Sequence, residues 1–335
     1  MRKIKNTRIL MSFGIVGLAV SGFASASCCG EGGGVEEIIS DQRARQISRQ
    51  ISDNITRRIV SDIDASFAGP MVKKLGGASA DGNSLMPDSV WSSFSWSRIS
   101  DDANLGSKFD VDIYQTTSGI DKRIGDFYFG ATLTYAGTVS DIYPASVGDV
   151  NTYGSVHSVG ITPYAAYVFN KNFFLSAMSG YTYSNNNSRN ALAAIPESES
   201  DAYQTEVDMN GLHVMEQWFV KGKVGIRYQH GHNKVDPSFV GGGIERQNSD
   251  SWTYLVDSEI GYAFKNGLRT YTGVLYEYNN PSKNQNLADG VFYYSAGFDY
   301  SVNDKLSFGT KVQTDLTNED IDLTTVALTA RLALE

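Results

Sequence analysis

Between Val90 and the end of the chain, aromatic and aliphatic residues recur at every second position over stretches of about ten residues. That period is the signature of strands with one apolar face and one small or polar face. Phe127, Phe129, Ala131, Leu133 and Tyr135 alternate with Tyr128, Gly130, Thr132 and Thr134. Trp252, Tyr254, Val256, Ile260, Tyr262 and Phe264 alternate with Thr253, Asp257, Glu259, Gly261 and Ala263. The same reading holds for 268–278, for 292–302 with Asp299 opposite, for 306–316 with Lys311, Gln313 and Asp315 opposite, and for 326–334 with Arg331 opposite. Twelve strands are predicted, over 90–99, 107–121, 126–137, 155–169, 173–184, 203–218, 222–234, 251–264, 268–279, 290–302, 306–316 and 322–334. No stretch after Val90 holds the 18 apolar residues of a spanning helix.

The connections alternate in length. Ile124–Gly125, Asn170–Asn172, Phe219–Lys221, Lys265–Gly267 and Asn303–Lys305 read as tight turns, and long polar segments such as Ser140–Gly154, Asn185–Ala202 and Asp236–Asp250 lie between them. An even-stranded up-and-down chain with short turns on one side and long loops on the other fits a bacterial outer-membrane barrel, because lipid leaves backbone groups no partner outside a closed sheet. A soluble β-sandwich or solenoid shares the alternation, but Tyr and Phe cluster near the strand ends, as interfacial girdles require. The expected fold is therefore an all-β, closed antiparallel transmembrane barrel over 88–335. Pro163 falls inside the fourth strand, where a closed sheet needs its N–H, and predicts a bulge or frame shift there.

The leader supports export. Arg2, Lys3, Lys5 and Arg8 precede the apolar run Ile9–Val20, and Ala24-Ser25-Ala26 follows as a small-x-small cleavage pattern, so 1–26 reads as a signal peptide. The net charge is −9, and loss of those four basic residues takes it to −13. A nucleic-acid partner is excluded by that sign. Cys28 and Cys29 are adjacent and do not staple a fold by pairing with each other. Lipidation of Cys28 is an open alternative, with Ser25 where lipoprotein signals usually carry Leu.

Residues 27–87 form a separate N-terminal segment. Ile47, Ile51, Ile55, Ile59 and Ile63 recur every four residues among Arg43, Arg45, Arg49, Arg57 and Arg58, with no Gly or Pro from Val35 to Phe67. This spacing predicts an amphipathic helix over 36–66. Spacing by four drifts by about 40° per step against 3.6 residues per turn, so the Ile row winds around the helix. The inward strand faces offer Asp257, Glu259, Glu277 and Asp299 as well as Arg227, Arg269, Lys311 and Arg331. Two placements stay open: a basic helix seated in a mixed-charge lumen, or a periplasmic helix that oligomerises through its Ile row beyond the Gly/Ser-bearing stretch 68–87.

From Val90 to Leu334 the chain resembles the translocator (β) domain of autotransporters, the type V secretion proteins. The resemblance rests on Val90-Trp91 opening strand one, on Phe109 to Tyr114 entering strand two, and on Gly119-Ile120-Asp121 before the turn at 122–126. Phe129 to Tyr135, and Gly160 to Phe169 followed by Phe173 to Tyr183, continue in the same style. It implies a twelve-stranded barrel in the outer-membrane bilayer, both barrel termini in the periplasm, a helix able to thread the pore, and insertion by the barrel-assembly machinery. Two features depart from the family pattern: the chain ends Leu332-Ala333-Leu334-Glu335 without the usual terminal aromatic, and the segment before Val90 shows no repeat and no recognisable enzyme.

Catalytic and metal constellations are expected to be absent. His230 and His232 lie two apart near Asp236 and suggest a metal or general-base site, yet they continue the outward row Val224, Ile226 and Tyr228 to the membrane rim. No Gly-x-Ser-x-Gly elbow, Walker loop or His-Glu-x-x-His occurs, and Gly241-Gly242-Gly243 reads as a loop tip with no helix behind it. Two functions remain: a translocator-like barrel that anchors or displays a short N-terminal segment, or a stand-alone porin-like or adhesin-like barrel whose long loops contact an extracellular ligand. No enzyme activity, cofactor or metal is expected in either.

Overall fold

The computed structural model describes residues 35–67, 87–101, 107–144, 151–190, 198–234, 247–281, 290–303, 305–316 and 321–334. The predicted signal peptide, Cys28, Cys29, Asp236 and Gly241–Gly243 lie outside the described residues. One helix, α1 (Val35–Phe67), precedes twelve strands: β1 (Ser89–Asp101), β2 (Ser107–Ile124), β3 (Phe127–Pro144), β4 (Thr152–Asn170), β5 (Phe173–Asn190), β6 (Ser198–Met215), β7 (Trp218–Lys234), β8 (Gln247–Ala263), β9 (Leu268–Pro281), β10 (Gly290–Ser301), β11 (Leu306–Asp315) and β12 (Asp322–Ala333). Each strand pairs antiparallel with its sequence neighbours, and β1 pairs with β12 from Ser89↔Ala333 to Ser100↔Asp322, so the sheet closes.

Alternation places the side chains as the sequence predicts. Phe127, Phe129, Leu133 and Tyr135 face outward, while Tyr128, Thr132 and Thr134 are buried. Outward aromatics gather at two levels. At the turn end Phe127 packs on Tyr167 (4.7 Å between centroids) and Trp218 on Tyr262 (5.1 Å); at the loop end Tyr181 meets Tyr203 (5.0 Å) and Tyr276 meets Phe292 (4.6 Å). The ten residue steps of extended chain from Tyr254 to Phe264, tilted as barrel strands are, cover roughly 25 Å, the height of an outer-membrane apolar band.

Three sequence expectations need correction. The β6–β7 turn is Glu216-Gln217, closed by the Met215↔Trp218 pair, not 219–221. Glu216 takes the left-handed conformation the two-residue turn requires (φ 56°), and Phe219 and Lys221 belong to β7 with their side chains in the lumen. Pro163 causes no frame shift: its pairing with Ala131 is regular, the register toward β5 is the same at Ile161↔Tyr181 and Tyr164↔Met178, and the irregularity lies between Val168 and Asn170. The pairing with β5 lapses at Thr162 and Pro163 and resumes in the same register. The loops are also shorter than their polarity suggests. Ser140 pairs with Gly154 and Asn185 with Glu199, so the strands continue past the point where their outward row stops being apolar.

The helix α1 occupies the lumen. Aromatic side chains that point inward lie flat over glycines of the next strand, which leaves room for the helix. The Trp91 ring covers Gly119 and the Tyr271 ring covers Gly297; a Cβ at either glycine would stand 2.4 to 2.5 Å from ring or hydroxyl atoms.

Candidate functional site: the helix in the lumen

Contacts at both ends of α1 give its direction. Gln46 Nε2 donates to Ser97 Oγ (2.9 Å) and Thr325 Oγ1 (2.8 Å), near the loop end of β1 and β12. Asn54 Nδ2 donates to Ser93 Oγ (2.6 Å), and Arg58 Nε to Ser89 Oγ (2.9 Å) at the turn end. The helix therefore enters with Val35 at the loop end and leaves with Phe67 at the turn end. No helix among the described residues is long and apolar enough to cross a membrane by itself; α1 is enclosed by protein.

The winding of the Ile row matches two apolar patches on opposite walls. Ile39 packs with Ile99, Phe109, Val111, Leu255, Val291 and Leu323 at the loop end. Ile47, Ile51, Ile55, Ile59 and Ile63 pack with Tyr128, Tyr164, Phe174, Met178 and Leu212 of β3 to β6 toward the turn end. From Ile39 to Ile59 the helix turns about 200° beyond whole turns, so one row with a spacing of four meets one wall high and the other wall low.

The polar face is bound by charges of both signs. Arg49 Nη2 is 2.5 Å from Glu277 Oε2, Arg57 Nη2 is 2.6 Å from Glu259 Oε2, and Arg58 Nη2 is 2.5 Å from Asp121 Oδ1. In the reverse sense Asp53 accepts from Lys311 (3.0 Å), and Asp62 accepts from Arg331. Arg49 also stacks on Tyr293 (3.9 Å) and Arg57 on Tyr271 (4.2 Å). The Arg49–Glu277, Arg58–Asp121 and Arg331–Asp62 pairs are almost wholly buried, where removing one partner costs about 3–5 kcal/mol by leaving an uncompensated charge. Ser48 pairs with Gln204 and Ser52 with Glu206, whose carboxylate also accepts from Arg227 Nε at 2.6 Å.

The lumenal charges named from sequence, Asp257, Glu259, Glu277, Asp299, Arg227, Arg269, Lys311 and Arg331, all lie on inward faces. Asp121, Glu206, Asp208, Lys221 and Lys223 were missed. The misplaced β6–β7 turn hid Lys221, and Asp121 reads as a strand end; strict alternation back from Arg227 would have found Lys221, Lys223 and Gly225 on one face. His230 Nδ1 is 2.8 Å from Asp250 Oδ1 on the outer surface beside Tyr228, and among the described residues no group of three or more His, Cys, Asp or Glu is placed to hold a metal.

Residues 90–313 match a protein family described as the autotransporter beta-domain. Among solved structures, the transport unit of the autotransporter AIDA-I from Escherichia coli aligns with a TM-score of 0.60 at 13% identity, over 76% of this chain and 93% of that one. The translocator domain of NalP from Neisseria meningitidis aligns at 0.58 and 10% identity, over 86% and 97%. The β-domain of the Bordetella autotransporter BrkA gives 0.57 and 12%, over 74% and 100%. At these identities the likeness is one of fold. No curated protein sequence matches the chain.

Proposed function

The chain belongs to the autotransporter beta-domain family, and from that premise we propose that this outer-membrane barrel is closed by its own N-terminal helix and holds the chain ahead of Val35 on the outer side. Tight turns belong to the periplasmic end of such barrels, which puts Phe67 and the barrel termini in the periplasm and Val35 outside. The observation that supports this is the seating of α1: it runs the lumen in one direction, with ion pairs to β2, β8, β9, β11 and β12 and apolar patches on two walls. Residues 1–26 deliver the chain across the inner membrane, and the barrel-assembly machinery inserts it. The role is anchorage and display of the N-terminal segment.

Planar-bilayer recording tests the reading. The full chain should pass little current. A chain lacking 36–66 should keep its closed sheet, whose ladders do not involve the helix, and its single-channel conductance should rise several-fold. Equal conductance in both proteins would contradict the plug and favour an open, porin-like barrel.

A further inference from the structure

We propose that the turn end of the lumen holds a small oxyanion of the phosphate class, between α1 and the wall of β9 to β12. A cavity of about 100 Å³ lies there. Its charged lining is Arg57 and Arg58 of α1, Lys221 of β7, Arg269 of β9, Arg331 of β12 and, as the one carboxylate among the lining residues, Asp299 of β10. The hydroxyls of Ser61, Ser301 and Ser307 border the same space. Such a lining sets five cationic side chains against one carboxylate, and its hydroxyls can turn to donate, so it favours a guest made of acceptor oxygens. A site of this size takes several waters, at about 10–15 Å³ each, or one tetrahedral oxyanion.

The cations are fixed from behind. Arg57 is held by Asp53 (3.2 Å) and Glu259 (2.6 Å), Arg58 by Asp121 (2.5 Å), Lys221 by Glu259 (2.7 Å), and Arg331 by Asp62. Their ordering is complete before any anion arrives, which lowers the cost of binding one. Among the described residues Arg57 Nη1 is buried with no hydrogen-bond partner, and Asp299 Oδ2 is 4.0 Å from it. A buried donor in that state costs free energy that an acceptor oxygen would recover. Asp299, with 40% of its side chain exposed against 4% for Arg58, marks the mouth of the site. The charged lining residues lie on α1 and on inward strand faces, so the source of the ligand is free phosphate rather than a lipid headgroup.

Calorimetric titration of the purified full chain with inorganic phosphate, against chloride at equal ionic strength, is the test. One saturable site is expected, weakened at least tenfold by Arg269→Gln and tightened several-fold by Asp299→Asn, which removes the one carboxylate. Both variants are first checked for the heat-modifiable band of a folded barrel; if Arg269→Gln does not fold, Asp299→Asn decides alone, because a merely structural aspartate would not tighten anion binding when neutralised. Non-saturating heat, a response to chloride equal to that for phosphate, or an affinity that Asp299→Asn leaves unchanged would overturn the site. A non-conducting barrel that binds no phosphate would sink this site and leave the plug standing.

Discussion

Glu277 sits on β9 between two cations, Arg49 of the helix at 2.5 Å and Arg227 of β7 at 3.6 Å. Arg227 keeps Glu206 as a second partner, but Arg49 has its charge matched chiefly here. Glu277→Ala should therefore weaken helix seating by about 3 kcal/mol, in the range for breaking a buried pair. That is on the order of 100-fold in the population of the unseated state. Trypsin cleavage after Arg49, Arg57 or Arg58 in the folded barrel reads that population, and it should accelerate correspondingly; an unchanged cleavage rate would mean that the ion pair holds nothing. Glu259 and Glu277 were legible as lumenal carboxylates because each stands opposite a largely apolar row, Trp252 to Val256 with Ile260 and Tyr262 in β8 and Val274 to Tyr278 in β9. Their partners were not legible. Arg49 and Glu277 are 228 positions apart, and nothing local in either strand or helix encodes which arginine meets which acid.

At the scale of the element, the alternation identified all twelve strands, and the errors fall where it weakens. Phe219–Lys221 reads as a turn, yet Lys221 is a lumenal cation paired with Glu259 (2.7 Å), and Lys223, next on the same face, is paired with Glu206 (3.5 Å). The polar stretch Asn185–Ser188 resembles a loop, yet it stays in β5 above the lipid band, where water removes the need for an apolar outward row. Within the band the two faces differ sharply in chemistry. Val256, half-exposed and flanked across the sheet by Val224 and Tyr276, faces lipid. Val256→Arg should cost about 2–4 kcal/mol if at the midplane, measured by urea unfolding of the barrel in lipid, whereas Asp299→Asn on the inward face should leave that stability nearly unchanged. Equal sensitivity at both positions would contradict the assignment of faces.

Across the whole molecule, a basic amphipathic helix and a mixed-charge barrel were both legible, but their union was not. A helix with an Ile row fits a lumen or a second copy of itself equally well when only its own sequence is considered. What decides the matter is spread over the walls: an apolar patch high on one side, a second low on the other, and acids and bases in register with a row that drifts by about 40° per step. Disulfide trapping tests this most directly, in a chain whose Cys28 and Cys29 are changed to Ser. Asn54→Cys with Ser93→Cys replaces a buried hydrogen-bonded pair at 2.6 Å and leaves every ion pair of the lumen intact. That pair should crosslink within one chain and in high yield. Gln46→Cys with Ser89→Cys, which only a helix of reversed direction would bring together, should not. Crosslinks between chains, or a crosslink from the reversed pair alone, would contradict a plug that enters from the loop end.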